Sequence, residues 1–103
     1  SPEETTQLVL PTIRACAQDK SWRVRYMVAD HFCELCEATG PEITKSELVG
    51  YFVRLLKDTE AEVRTAASLR VTGVCSMIPK DMAIKQVLPC IKELVTDASQ
   101  HVR

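Results

Sequence analysis

A seven-residue motif recurs along this chain at a fixed interval. It reads Asp-Lys-Ser-Trp-Arg-Val-Arg at residues 19–25, Asp-Thr-Glu-Ala-Glu-Val-Arg at residues 58–64 and Asp-Ala-Ser-Gln-His-Val-Arg at residues 97–103. The flanking sequence repeats as well, because residues 8–25 and 86–103 are identical at eight of 18 positions. A period of about 40 residues is typical of proteins built from stacked supersecondary units.

Apolar residues recur at helical spacing on both sides of the motif, which predicts two helices joined by a short turn at each Asp. The fold class is therefore all-α: antiparallel helical hairpins stacked in one array over residues 1–103. We divide it into units 1–40 and 41–79 and a partial third unit, 80–103. The apolar stripes expected in the second helices are Val24, Met27, Val28, Phe32, Leu35 and Cys36, and then Val63, Ala66, Ala67, Val71, Val74, Cys75 and Ile78.

Several local signals predict where helices begin and end. Thr44 with Glu47, and Thr59 with Glu62, have the spacing of a capping box, with the threonine as the N-cap. The pair at residues 40–41 is Gly-Pro, which is typical of a helix end. In the third unit the first helix should run from about residue 80 to residue 96, before the turn.

Proline and glycine also occupy informative positions inside the predicted helices. Pro11 and Pro89 lie at the same place in the repeat, which favours a bend within the first helix over a helix that ends there. Gly73 lies within an apolar stripe, where it lowers helix propensity. We expect it to permit a close contact between helices.

The charge balance and the cysteines restrict the possible partners and compartments. Thirteen basic and 14 acidic residues give a net charge of −1, which argues against nucleic acid or membrane as a partner. We identify no signal peptide or membrane span in the sequence. The cysteine number is odd and every cysteine lies in a helical apolar pattern, which indicates reduced thiols in the cytosol or nucleus; they are Cys16, Cys33, Cys36, Cys75 and Cys90.

We find no catalytic, cofactor-binding or metal-binding motif. Cys33 and Cys36, with His31 nearby, have the spacing of a metal or redox motif, but a second Cys-x-x-Cys pair and a βαβ setting are missing. Cys36 continues an apolar stripe, so we favour a packing role for these thiols. The expected function is binding and not catalysis.

Two helices per repeat, a proline in the first helix and an Asp in the turn followed by Val-Arg together resemble the HEAT repeat. Residues 19–30, 40–45, 60–64 and 88–95 resemble the HEAT-repeat scaffold subunits of protein phosphatase 2A. The resemblance implies a right-handed superhelix whose turns form a ridge that binds regulatory (B-type) subunits, while other repeats bind the catalytic subunit. The alternatives are a HEAT adaptor of another system, such as a nuclear transport receptor, and a helical regulatory domain of an enzyme.

The resemblance implies that the turn residues contact the partner; these are Lys20, Ser21, Trp22, Arg23, Thr59, Glu60, Ala61, Glu62, Ser99, Gln100 and His101. Trp22, the only tryptophan, is either a covered packing residue or an exposed anchor, and we favour the anchor. The repeated Asp and Arg are either solvated charges or a ladder that aligns the stack. Strict repetition favours the ladder, whose members are Asp19, Arg25, Asp58, Arg64, Asp97 and Arg103.

The resemblance also places this segment near the middle of a longer array. Apolar faces at both ends of the chain would then lack their neighbours. One comprises Leu8, Val9 and Ile13, and the other Val87, Leu88, Ile91, Leu94 and Val95. We expect the isolated chain to self-associate through these ends.

Overall fold

The computed structural model describes the backbone of residues 2–102 and the side chains of residues 3–4 and 6–96. Every regular element within these residues is helical, as the sequence predicts. In chain order they are α1 (Pro2–Ala17), α2 (Trp22–Asp30), α3 (Phe32–Thr39), α4 (Pro41–Ile43), a π-helical segment (Thr44–Leu48), α5 (Val49–Leu56), α6 (Ala61–Leu69), α7 (Val71–Cys75), α8 (Lys80–Met82), a second π-helical segment (Ala83–Val87) and α9 (Leu88–Val102).

These elements form two layers of helices. α1 contacts α2 and α3, and α5 contacts α6, so each unit folds back on itself as a hairpin. The first helices of the units form one layer, in which α5 lies between α1 and α9. The second helices form the other layer, in which α2 packs on α6 and α3 on α7.

The core lies between the two layers. Phe32 of α3 and Phe52 of α5 are fully buried, and their ring centroids are 5.1 Å apart. Most of the predicted stripe in the second unit is buried, namely Val63, Ala66, Ala67, Val74 and Ile78. Burying such side chains contributes roughly 1.5–3 kcal/mol for each of the larger ones.

The first unit departs from its predicted stripe at Met27. This side chain is 54% exposed, whereas Ala66, its counterpart one repeat later, is 3% exposed. Ala66 belongs to α6, which packs on α2, and the corresponding side of α2 faces away from the second unit. The core assignment of Met27 is therefore wrong.

Two residues assigned to the exposed end faces are in fact buried. Ile13 is 4% exposed and Val87 is 1% exposed. Each lies on the inner side of its helix and packs in the shared core. Leu8, Leu88 and Val95 are exposed, at 76%, 43% and 62% respectively.

Both predicted capping boxes are wrong. The helical run of the second unit begins at Pro41, with Gly40 before it at φ 91°, so Thr44 lies inside the run. Thr44 is buried, and its hydroxyl donates to the carbonyls of Gly40 and Cys36 at 2.8 and 3.2 Å. Proline at the first helical position starts the helix early because its φ is already helical. The next cap position is Glu60 rather than Thr59, and it makes no side-chain capping bond.

The first helices continue through their prolines. α1 extends past Pro11 to Ala17, and the helical run of the third unit extends past Pro89. The π-helical segments begin at Thr44 and Ala83, which are equivalent positions of the repeat, and π-helical turns are a known place for helices to bend. Proline is not their cause, since the second unit has Gly50 where the others have proline.

Each second helix is interrupted once, at His31 between α2 and α3 and at Arg70 between α6 and α7. These two positions are again equivalent in the repeat. Gly73 of α7 packs against α3, where a β-carbon would collide with Sγ of Cys33. The expected close approach at Gly73 is confirmed.

The third copy of the motif does not form the predicted turn, because α9 continues as a helix through Val102. The first two turns, which also lack glycine and proline, are instead held by contacts from Arg25 and Arg64 to carbonyls of the turn. The side chains of Asp97, Ser99, Gln100, His101 and Arg103 lie outside the described residues. The helices that the structure describes include none long and apolar enough to cross a membrane.

Candidate functional site

The turn of the first unit is closed by its own repeated Asp and Arg. The Ser21 amide donates to Oδ1 of Asp19 at 2.8 Å. Nη1 of Arg25 donates to the carbonyls of Asp19 and Lys20 at 2.6 and 3.2 Å. The Asp19 carboxylate therefore binds the backbone just before α2, and Arg25 binds the carbonyls of the two residues that precede Ser21.

The turn of the second unit repeats this arrangement. The Glu60 amide donates to Oδ1 of Asp58 at 2.9 Å. Nη1 of Arg64 donates to the carbonyls of Asp58 and Thr59 at 2.8 and 3.2 Å. The Asp carboxylate organises the start of each of these second helices, which explains why Thr59 is not the cap of α6.

Arg25 also connects the two turns. Its Nε donates to Oδ2 of Asp58 at 2.8 Å and its Nη2 to Oδ1 at 3.1 Å, so the guanidinium and the carboxylate form a two-point contact. The two side chains are only 16% and 9% exposed. Arg25 thereby fixes the first turn next to the second.

The electrostatics of Asp58 follow from this contact. Burial raises the pKa of Asp58. The hydrogen bonds from Arg25 and from the Glu60 amide lower the pKa by more than burial raises it, so it lies below its ordinary value. The hydrogen bond to Asp58 raises the pKa of Arg25. Both groups are therefore charged at neutral pH.

The predicted partner-binding residues of these two turns lie on one edge of the molecule. Trp22 and Glu60 are half-buried, and the others are exposed, namely Lys20, Ser21, Arg23, Thr59, Ala61 and Glu62. Because the Arg25–Asp58 contact joins the turns, the structure brings these residues together. We call them the turn ridge.

Trp22 is the most distinctive side chain of the turn ridge. The Arg23 guanidinium carbon lies 4.8 Å from the centre of its indole ring, and the ring of Tyr26 meets it edge-on at 6.4 Å. Part of the indole packs against the core, and part remains accessible. Such an aromatic side chain stacked with an arginine is the combination enriched at protein interfaces.

Another contact between the units was not predicted. Nε of Arg14 in α1 donates to the Tyr51 hydroxyl of α5 at 2.8 Å, and the Arg54 guanidinium carbon lies 5.6 Å from the Tyr51 ring centre. This contact joins the layer of first helices. It carries no repeat signal, because the residue equivalent to Tyr51 in the next unit is Cys90.

The thiols at Cys33 and Cys36 are set up for packing. Burial raises the pKa of Cys33, and burial raises the pKa of Cys36 to about 11, so both are protonated at neutral pH. Nδ1 of His31 instead lies 3.2 Å from Oε1 of Glu34. Across residues 3–4 and 6–96, no group of three or more His, Cys, Asp and Glu side chains is arranged to hold a metal ion.

The repeat geometry agrees with comparisons to known protein families. Residues 41–103 match the family model described as PPP2R1A-like HEAT repeat, and residues 9–39 match that of the HEAT repeat. The chain belongs to the HEAT-repeat family. The turns described above are therefore the turns within HEAT repeats.

Individual relatives sharpen this assignment. The chain is similar to the beta isoform of the 65 kDa regulatory subunit of serine/threonine-protein phosphatase 2A from Homo sapiens, with 50% identity over 76 residues, 70% of this chain and 13% of that protein. It is 73% identical over 26 residues to the protein phosphatase 2A scaffold subunit of Dictyostelium discoideum, which is 25% of this chain and 4% of that protein. These matches confirm the resemblance to the scaffold subunits.

A more distant relative belongs to another phosphatase system. The serine/threonine-protein phosphatase 4 regulatory subunit 4 of Mus musculus is 25% identical over 84 residues, 82% of this chain and 10% of that protein. The chain thus spans 13% or less of the length of each of these relatives.

Proposed function

We propose that this HEAT-repeat chain is a non-catalytic scaffold segment that binds regulatory subunits of protein phosphatase 2A through its turn ridge. In a complete scaffold it would help to assemble them with a catalytic subunit held by other repeats. The similarity to scaffold subunits of protein phosphatase 2A supports the choice of partner. The geometry of the two turns supports the turn ridge as the binding surface.

The two-point contact between Arg25 and Asp58 is the observation that carries this proposal. It joins two turns through part-buried charges, so the exposed side chains of both turns keep a fixed spacing. A partner that binds a preorganised surface loses less conformational entropy than one that must order it. Trp22 and Arg23 then provide an interface anchor within that surface.

Surface-immobilised chain and purified B-type regulatory subunits provide the test. Trp22→Ala should weaken binding by about 30-fold, the equivalent of about 2 kcal/mol for a hot-spot residue. Arg23→Ala should weaken it less. Leu8→Ala is the matched control, since Leu8 is an exposed apolar residue of α1, away from the turn ridge. Unchanged affinity of Trp22→Ala, or no binding by the wild-type chain, would contradict the proposal.

We further propose that the isolated chain self-associates at high concentration through its two outer first helices. α1 and α9 lie on either side of α5, and Leu8, Leu88 and Val95 are exposed on them. Sedimentation velocity over a wide concentration range should show growing oligomers, and Leu8→Gln should reduce them. A strictly monomeric chain would overturn this proposal.

The five cysteines support a reducing compartment, the cytosol or nucleus, as the place of action. All five are free thiols, and such thiols persist where disulfides are kept reduced. Localisation of the tagged chain in cells tests this directly, and a secreted product would contradict it.

A further inference from the structure

A groove of about 250 Å³ runs between α2 and α6, the second helices of the two units, beside the turn ridge. Tyr26 and Asp30 of α2 line one wall, and Glu62, Thr65 and Leu69 of α6 line the other. Ala61 and Ala66 form its floor, and their short side chains leave space above them. The groove has room for one long side chain.

The charged residues that line the groove are both acidic. They are Asp30 and Glu62, and none of the lining residues, all of which lie in the part of the chain that the structure describes, is basic. Arg70 lies outside the lining and forms an ion pair of 3.9 Å with Asp30, so Glu62 is the carboxylate that adds net negative charge. Glu62 is exposed and lies in the first turn of α6, where the helix N-terminus favours its negative charge. Charge complementarity therefore favours a cation as the occupant.

Asp30 keeps the capacity to bind such a cation. Its oxygens lie 3.9 Å from Nη2 of Arg70 and 3.9 Å from Nε2 of His31. Both distances exceed that of a hydrogen bond, so neither neighbour saturates the carboxylate. The side chain is 36% exposed.

We propose that this groove is a docking slot for an arginine side chain of the regulatory subunit. The planar guanidinium presents five donors in a fixed fork and has a flat face that stacks on an aromatic ring, whereas the ammonium of lysine is a strongly hydrated point charge with no face to stack. In the slot it donates to Asp30 and Glu62, its flat face lies on Tyr26, and its methylene groups cover Leu69 and the alanine floor. The inference rests on the proposed function for the identity of the partner, but the slot itself is a property of this chain.

The slot can be tested without a regulatory subunit, using Nα-acetylarginine amide as the probe and nuclear magnetic resonance of the chain as the readout. Amide signals of Ala61 and Ala66 should shift during the titration, and Nα-acetyllysine amide at the same ionic strength should shift them less. Thr65→Leu fills the groove from its exposed wall and should abolish the shifts. Shifts that are missing, or that persist in Thr65→Leu, would overturn the slot.

Binding to the regulatory subunit tests the occupant. Asp30→Asn and Glu62→Gln should each weaken binding by about 10-fold and flatten its salt dependence, since a charge pair is lost. Glu42→Gln is the matched control, because Glu42 is an exposed carboxylate that does not line the groove. If the wild-type chain binds but Asp30→Asn, Glu62→Gln and Thr65→Leu bind equally well, the slot is wrong while the turn ridge stands. If the chain binds the arginine probe but no regulatory subunit, the proposed function is wrong and the partner named here falls with it.

Discussion

The first and second units differ most on the side that each turns toward the N-terminus of the array. In the second unit this side faces the first unit, and its side chains are small: Ala66 is buried, and Gly73 lies against Cys33. In the first unit the same repeat positions hold Met27, 54% exposed, and Glu34, whose side chain is 73% exposed. The contact between units therefore depends on small residues that one unit supplies and the other lacks.

The repeated aspartates show the same contrast. Asp19 and Asp58 organise their own turns identically, with one backbone amide each. Asp58 in addition receives Arg25 from the preceding unit, whereas Asp19 is exposed. The turn is thus a local structure, and the stacking of units is a separate contact added to it.

The largest expected effect comes from removing the shared arginine. Arg25→Ala would leave Asp58 a largely buried carboxylate without its cation, and it would also open the first turn. We expect a loss of about 3 kcal/mol in the free energy of unfolding, the range measured for broken buried pairs. Urea denaturation measures it.

Lys45→Ala is the control for this substitution, because Lys45 is exposed and exposed charges contribute little. Equal urea midpoints for the two variants would show that the contact between the turns does not stabilise the stack.

Arg64→Ala should destabilise the chain more than Lys45→Ala. Nη1 of Arg64 donates to the carbonyls of Asp58 and Thr59, and hydrogen bonds to a charged group contribute roughly 1.5–3 kcal/mol. Urea denaturation measures the loss, and equal midpoints for these two variants would contradict the role of Arg64 in holding its turn.

Much of this organisation can be predicted from the sequence, since the repeat period indicates the hairpins and the positions of the turns. What the period could not predict is which neighbour each residue meets. Met27 and Ala66 have the same repeat position and opposite burial, and Arg14 with Tyr51 has no repeated counterpart. The two capping boxes failed for different local reasons. The Asp58 carboxylate, and not Thr59, accepts from the amide at the start of α6, and Pro41 starts the other helix before Thr44. The third turn was predicted from its motif alone. In the first two units the corresponding turn is closed by contacts that Arg25 and Arg64 make with backbone carbonyls.

Gly73→Ala tests whether the contact between the two units depends on a small residue at this position. Alanine gains about 1 kcal/mol in helix propensity, but its methyl group collides with Sγ of Cys33, and overpacking costs roughly 1–3 kcal/mol. We expect a net loss of about 1 kcal/mol in thermal or urea unfolding. In a Cys33→Ala background the same substitution should become neutral or stabilising, and a loss that persists there would rule out the thiol contact.

The smallest effect concerns pH. Because the pKa of Asp58 in the folded chain is lowered, its ionised form stabilises the fold fully above the unfolded value of about 3.9. That contribution is lost as the pH falls through the lower, folded pKa. Asp58→Asn should therefore lose less stability between pH 7 and pH 3 than the wild type. Parallel pH profiles for the two proteins would contradict the charge assignment.

The most direct test of the stacking contact is a pair of double-mutant cycles that share Arg25→Ala. One cycle combines it with Asp58→Ala and the other with Asp19→Ala, and urea denaturation gives the coupling energies. We predict a coupling above about 1 kcal/mol between Arg25 and Asp58. Arg25 donates to the backbone carbonyl of Asp19, which Asp19→Ala retains, so that cycle should give a clearly smaller coupling energy than the cycle with Asp58. Equal couplings, or a larger coupling to Asp19, would contradict the account in which Arg25 joins the two units.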